Sequence, residues 1–90
     1  MKRILLATTR IVSNQPEGYR VAWTRLQDHA RQCGVRAWLF QAPDDSNRYL
    51  EFLEWMEPQN GTIEMPSDVQ DQHQRLDFFG RGTSESWLET

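Results

Sequence analysis

The most constraining feature of this sequence is a pair of apolar segments, residues 35–42 (VRAWLFQA) and 48–56 (RYLEFLEWM). The polar residues between them, Pro-Asp-Asp-Ser-Asn at 43–47, are typical of a turn. The pattern therefore predicts a β-hairpin. Because side chains alternate along a strand, both strands would carry large apolar side chains on both of their faces.

Further elements precede and follow the hairpin. Residues 4–12 (ILLATTRIV) have the composition of a strand, and a helix is predicted from Pro16 to about Cys33. Gly34 suits the left-handed position that follows a helix. The apolar stripe of this helix has the spacing of a single helical face and consists of Tyr19, Trp23, Leu26, Ala30 and Cys33.

The last third of the chain predicts a second helix and a short strand. Asn60-Gly61 indicates a turn, and Ser67 with Gln70 matches a capping box that would start a helix running to Phe79. Residues 84–89 (SESWLE) complete the chain as a strand. The order β-α-β-β-α-β is the ferredoxin-like arrangement, an α+β fold with two helices on one face of an antiparallel sheet. We expect a single domain over residues 1–90.

Homodimerisation is expected from the two apolar faces of the sheet. A chain of 90 residues buries only about 60% of its surface, and the lone Cys33 cannot form a disulfide within the chain. The helices cover one face, so a second copy of the chain would cover the other. We predict that Leu50, Phe52 and Met56 face the helices. The predicted dimer interface consists of Tyr49, Leu53 and Trp55.

The charges are divided unevenly along the chain. Residues 1–43 contain seven basic and two acidic residues, whereas residues 44–90 contain three basic and eleven acidic residues. Halves of opposite sign are expected to attract each other within the fold or across a dimer. A nucleic-acid-binding domain is more often basic overall, so nucleic acid is not an expected partner.

The hairpin, its aromatic residues and the capped second helix together resemble the dimeric α+β barrel superfamily, in particular the antibiotic-biosynthesis-monooxygenase-like proteins. The resemblance covers roughly residues 3–88 and lies in element order and aromatic placement. It implies a homodimer whose two sheets pack as a barrel, with a pocket between each sheet and its helices. It also implies functions that range from cofactor-free oxygenases to proteins without known activity.

Three residues are candidates for a ligand cavity. His73 lies on the inward stripe of the second helix, although a hydrogen bond to a neighbour such as Asp77 would also explain it. Arg10 interrupts an apolar strand and is explained by an anionic ligand, by Glu51 or Glu54, or more simply by a surface position. Trp38 on the second strand is the third candidate.

Two classes of function stay open. The first is a homodimer that binds a small apolar molecule, with cofactor-independent monooxygenase activity as the sharpest form. The second is a non-catalytic structural or interaction module, and RNA binding in the manner of an RNA-recognition domain is a distant third. We expect no cofactor, metal or membrane partner, because phosphate-loop and zinc-ligand patterns are missing from the sequence and no segment is as apolar as a membrane span. A single cysteine and no export signal favour the cytoplasm.

Overall fold

A computed structural model describes residues 2–57 and 65–90 of the chain. The predicted turn at Asn60-Gly61 lies outside these residues. Within them the elements are β1 (Arg3–Val12), α1 (Pro16–Gln32), β2 (Arg36–Ala42), β3 (Asp45–Met56), α2 (Ser67–Arg75), a 3₁₀ turn (Leu76–Phe78) and β4 (Gly80–Leu88). No helix in these ranges is long and apolar enough to cross a membrane.

The four strands form one antiparallel sheet in the order β2-β3-β1-β4. This order confirms the predicted ferredoxin-like α+β fold. The core between the helices and the sheet contains the predicted stripe of α1, apart from Cys33, which is exposed. Gly34 adopts the predicted left-handed conformation, with φ at 78°.

Several boundaries differ from the prediction. The second helix ends at Arg75, where the 3₁₀ turn follows, and does not run to Phe79. β3 begins at Asp45, so the turn of the hairpin shortens to Pro43 and Asp44. Ser67 is the first helical residue of α2 and makes no capping hydrogen bond, so the predicted capping box is wrong. β4 begins at Gly80, immediately after the 3₁₀ turn, and is therefore longer than the predicted strand over 84–89.

The predicted assignment of the two faces of β3 is wrong. Tyr49, Leu53 and Trp55 are 3%, 0% and 8% exposed and belong to the core beneath the helices. The ring centroids of Tyr49 and Tyr19, on α1, lie 4.9 Å apart. Side chains buried this deeply within one chain cannot form contacts with a second copy across the opposite face.

The opposite face of the sheet, which we call the open face, is covered by neither helix. It holds the alternate residues of each strand, including Phe52 and the half-exposed Phe40, whose rings meet edge to face at 5.6 Å. The large apolar side chains that remain exposed on it are Ile11, Trp38, Phe40, Met56 and Trp87. The prediction that both faces of the sheet carry large apolar side chains is therefore confirmed. The two alternating sets of β3 residues, however, lie on the faces opposite to those predicted.

Ion pairs join the basic first half to the acidic second half within one chain. Arg3 binds Glu89, and Arg10 binds both Glu51 and Asp77. The expected attraction between the two halves is thus present inside the fold.

Candidate active site

A buried polar network occupies the centre of the helix-covered face. Arg10 on β1 and Glu51 on β3 both lie on this face. Arg10 is paired with Tyr49 and Glu51 is paired with Thr8, so Arg10 and Glu51 are diagonal neighbours on adjacent strands. Arg10 is 1% exposed and Glu51 is 0% exposed. The expectation of a surface arginine is therefore wrong, and the alternative of a pair with Glu51 is correct.

Glu51 accepts four hydrogen bonds. Arg10 donates from Nε at 2.6 Å and from Nη2 at 3.2 Å, and the hydroxyl of Tyr19 donates at 2.5 Å. The Nε2 atom of His73, on α2, lies 2.8 Å from Oε1 of Glu51. A carboxylate offers about four lone-pair positions, so these four contacts use all of them. Glu51 therefore holds Arg10, Tyr19 and His73 in place and has no free lone pair with which to bind a ligand.

The hydrogen bonds keep Glu51 ionised despite its burial. Burial by itself raises the pKa of Glu51, but the hydrogen bonds from His73, Arg10 and Tyr19 outweigh burial and hold this pKa below its ordinary value. Burial and the adjacent carboxylate raise the pKa of Tyr19, so its phenol keeps the proton that it donates. The site thus contains a negatively charged carboxylate at its centre at neutral pH.

An ionised Glu51 determines the state of His73. A carboxylate only accepts hydrogen bonds, so the contact of 2.8 Å requires a proton on Nε2 of His73. Nδ1 is then the nitrogen that carries the lone pair in the neutral ring, and the described residues form no hydrogen bond with it. The predicted neighbour of His73, Asp77, binds Arg10 instead.

A cavity of about 260 Å³ lies against this network, between α2 and strands β1 and β4. Arg10 and His73 both line it, as expected for the two polar candidates. Its other polar lining residues are Thr8, Gln70, Gln74, Asp77 and Ser84, and its apolar ones are Leu6 and Met65.

Small residues on β4 create the space for this cavity. Gly82 lies opposite Arg10 and Ser84 lies opposite Thr8, so both are on the helix-covered face. A Cβ atom on Gly82 would approach the guanidinium carbon of Arg10 to 3.2 Å and a methyl group of Thr8 to 2.8 Å. Glycine at this position therefore lets Arg10 lie flat against β4.

The pair of Thr8 and His73 does not form an activated nucleophile. Thr8 Oγ1 is 3.5 Å from Nε2 of His73 and only 2.7 Å from the hydroxyl of Ser84. Since Nε2 already carries the proton that Glu51 accepts, it cannot take a proton from Thr8. The geometry therefore does not support nucleophilic catalysis by Thr8.

Trp38 does not join the site. It lies on the open face, 37% exposed, with the guanidinium of Arg36 over its ring at 5.9 Å. It lines a separate depression of about 380 Å³ near the end of α1, together with Arg31 and Arg36. The described residues contain no group of three or more ligands suited to a metal ion.

The sequence indicated Glu51 only as one possible partner of Arg10, and it did not indicate Tyr19 as a site residue. Glu51 falls in the same alternating set as Tyr49, Leu53 and Trp55, so a charge within an otherwise apolar stripe was the signal that could have identified it. Tyr19 was assigned to the apolar stripe of α1, where its ring does lie, and nothing local indicates the partner of its hydroxyl.

Solved structures that share this fold include proteins of the predicted kind. A possible oxidoreductase of unknown function from Bacteroides thetaiotaomicron superposes with a TM-score of 0.76 at 12% identity over 97% of both chains. SnoaB, a cofactor-independent oxygenase from Streptomyces nogalater, gives 0.68 at 21% identity over 100% of this chain and 93% of SnoaB.

A proposed antibiotic biosynthesis monooxygenase from Bordetella bronchiseptica gives a TM-score of 0.69 at 13% identity, over 100% of this chain and 97% of that one. No protein-family description and no curated protein matches the sequence. The comparisons show that this chain shares its fold with antibiotic-biosynthesis-monooxygenase-like proteins, as the predicted resemblance implied.

The charge on Glu51 should determine the acid stability of the fold. In Glu51→Gln the buried Arg10 loses its charged partner, so we expect the free energy of unfolding to fall by about 3–5 kcal/mol at pH 7. Asp28→Asn, at an exposed carboxylate on α1, should change it by less than about 0.5 kcal/mol. Urea denaturation measures both variants. A loss in Glu51→Gln no larger than in the control would contradict the proposed role of the charge.

Urea denaturation at several pH values tests whether the stabilisation by Glu51 is lost in acid, as its lowered pKa predicts. Because the pKa of Glu51 in the folded chain is below its ordinary value of 4.5, the stabilisation is complete above that pH. It is lost as the pH falls below 4.5 towards the folded-state pKa. The wild-type chain should therefore lose stability more steeply than Glu51→Gln between about pH 5 and pH 3.

Proposed function

We propose that this chain is a cofactor-independent oxygenase that binds a small molecule in the cavity beside α2 and uses His73 as its base. The observation that carries the proposal is the buried hydrogen bond between Glu51 and His73 in the wall of that cavity. A carboxylate that orients a histidine and leaves its second nitrogen with a lone pair is a recurring arrangement for general-base catalysis. The oxygenase SnoaB, which shares the fold, supports the choice of reaction.

The chemistry requires only a base and a reducing substrate. Nδ1 of His73 would remove a proton from an acidic C–H or O–H group of the substrate, and the resulting anion is rich enough in electrons to reduce dioxygen. When a CH₂ group becomes a carbonyl group, the substrate supplies four electrons, one oxygen atom enters the product and the other leaves as water. The substrate is the reductant, so the balanced reaction needs no resident cofactor.

The cavity limits the size and polarity of the substrate. A volume of about 260 Å³ lies just below the range of about 300–1,000 Å³ for drug-sized ligands, so one or two rings fit. Most of the described lining residues are polar, with amides on Gln70 and Gln74 and hydroxyls on Thr8 and Ser84. The substrate that fits best is a small ring compound with hydroxyl or carbonyl substituents, more polar than the apolar molecule expected from the sequence.

Oxygen consumption tests the proposal. With a panel of small hydroxylated aromatic compounds that contain an acidic CH₂ group, the wild-type chain should consume oxygen faster than the buffer alone. His73→Gln removes the base and should lower the rate at least about 100-fold, a typical contribution of general-base catalysis. His29→Gln, on α1 and outside the cavity, is the matched control and should retain the full rate. Equal rates for both variants would exclude His73 as the base.

We also propose that two copies of the chain pair through the open face. Five large apolar side chains are more than one third exposed on this face, and monomeric proteins rarely expose such a patch. A second copy fits the patch better than a nucleic acid does, because the charges on the face balance. The arginines of this face are offset by carboxylates: Arg3, Arg36 and Arg48 form ion pairs with Glu89, Glu54 and Asp44, and Glu85 offsets the charge of Arg81. Phosphate binding requires a positive excess instead.

Sedimentation tests the dimer. The wild-type chain should sediment at about twice its mass of 10.7 kDa at micromolar concentration. Phe40→Glu buries two charges in a symmetric interface and should raise the dissociation constant about a thousandfold, while each chain stays folded. Val21→Glu, at a 53% exposed position on α1, should leave the dimer intact. A wild-type monomer at these concentrations would exclude pairing through this face.

A non-catalytic dimeric module is the second candidate function. The observation in its favour is that Glu51 has all its hydrogen bonds satisfied inside one chain, so the network stabilises the fold with or without a ligand. A shared fold does not by itself imply a shared activity. A chain that dimerises but neither consumes oxygen nor binds any compound of the panel would support this second function.

A further inference from the structure

The charges in the cavity wall are not equally available to a ligand. Arg10 is the basic residue of the described lining that is charged at all relevant pH values, but its guanidinium is 1% exposed. Four of its five N–H groups are in use, two towards Glu51, one towards Asp77 at 2.8 Å and one towards the carbonyl of Gly80 at 2.7 Å. Arg10 is therefore a structural cation, and it is not free to bind an anionic ligand as the sequence suggested.

Asp77 is the charged group of the lining that a ligand can reach. It lies in the 3₁₀ turn after α2, and its side chain is 69% exposed. Oδ1 binds Arg10, while Oδ2 has no hydrogen-bond partner among the described residues. Since Glu51 already neutralises Arg10, the group formed by Glu51, Arg10 and Asp77 has a net charge of −1, and the exposed end of the group is the carboxylate of Asp77.

We propose that this cavity selects small ring compounds with a protonated amine, which Asp77 binds, and that it rejects carboxylates and phosphates. This inference rests on the proposed function in one respect, namely that the cavity beside α2 is the ligand site. The amine forms an ion pair with Oδ2 of Asp77. The rest of the ligand lies along α2 towards His73, where the amides of Gln70 and Gln74, one helical turn apart, offer both donors and acceptors.

The size of the preference follows from the exposure of Asp77. A pair of charges near the protein surface is partly screened by solvent, so attraction or repulsion at this site is modest. An amine and a carboxylate on the same ring differ by two charges. Attraction of the amine and repulsion of the carboxylate by Asp77 together predict about a tenfold difference in affinity. The difference should shrink at high ionic strength, because salt screens exposed charges strongly.

Three matched probes test the inference on the wild-type chain. They are 4-hydroxyphenethylamine, the corresponding neutral alcohol and 4-hydroxyphenylacetate, titrated at pH 7 into isotopically labelled protein and followed by NMR shifts of backbone amides in α2. We expect the amine to bind about tenfold more tightly than the carboxylate, with the alcohol between them. In 0.5 M NaCl the amine and the carboxylate should differ by less than about threefold.

The variants separate this inference from the proposed function. Asp77→Asn should reduce the preference for the amine to less than about twofold, and Asp71→Asn, at an exposed position of α2 outside the cavity, should preserve it. A carboxylate that binds the wild-type chain as tightly as the amine overturns the inference but leaves the cavity as the ligand site. If none of the three probes shifts the amides of α2 at millimolar concentration, both the inference and the proposed ligand site fail. The salt dependence tests the wild-type chain even if Asp77→Asn does not fold.

Discussion

The structure depends on one buried charge. Transfer of a carboxylate from water to a protein interior costs several kcal/mol, and Glu51 is 0% exposed. Hydrogen bonds from Arg10, Tyr19 and His73 offset this cost, and each donor comes from a different element. The network thereby joins β1, α1, β3 and α2, and Arg10 extends it to β4 through the carbonyl of Gly80.

This arrangement makes the fold and the proposed site depend on the same contacts. A slip of β1 against β3 by one residue would turn Arg10 to the open face and leave Glu51 buried without its cation. The hydrogen bonds that satisfy Glu51 also hold the ring of His73 at the cavity wall and place the proton on its Nε2 atom. The conformation that satisfies Glu51 is therefore the one in which we propose that Nδ1 of His73 acts as the base.

The elements of the fold could be predicted because their signals are local. The apolar stripe of α1, the turn between the hairpin strands and Gly34 after the helix depend on neighbours a few residues away. Each is present in the structure, although Cys33 of the stripe is exposed and the turn is shorter than predicted. The faces of β3 could not be assigned in this way. Leu50, Phe52 and Met56 are as apolar as Tyr49, Leu53 and Trp55, so the alternation fixes two sets but does not say which set meets the helices.

The site was only partly predictable for a related reason. His73 and Arg10 stood out because each is a polar residue within an apolar pattern, and both line the cavity. Their partner Glu51 is 41 residues from Arg10 and 22 residues from His73, and no local pattern connects positions so far apart. At 12–21% identity the comparisons show the fold alone. The proposed base therefore rests on this network, and only the choice of reaction draws on the likeness to SnoaB.

The most direct test of the central claim is the protonation state of the His73 ring in the folded chain. Long-range ¹H–¹⁵N correlation spectra distinguish the two ring nitrogens and show which one carries the proton. At a pH where the ring is neutral, we expect Nε2 of His73 to be protonated and Nδ1 not to be, and we expect this preference to be lost in Glu51→Gln. A neutral His73 that carries its proton on Nδ1 would contradict this expectation, because Glu51 would then not hold the ring and the proposed base would not exist.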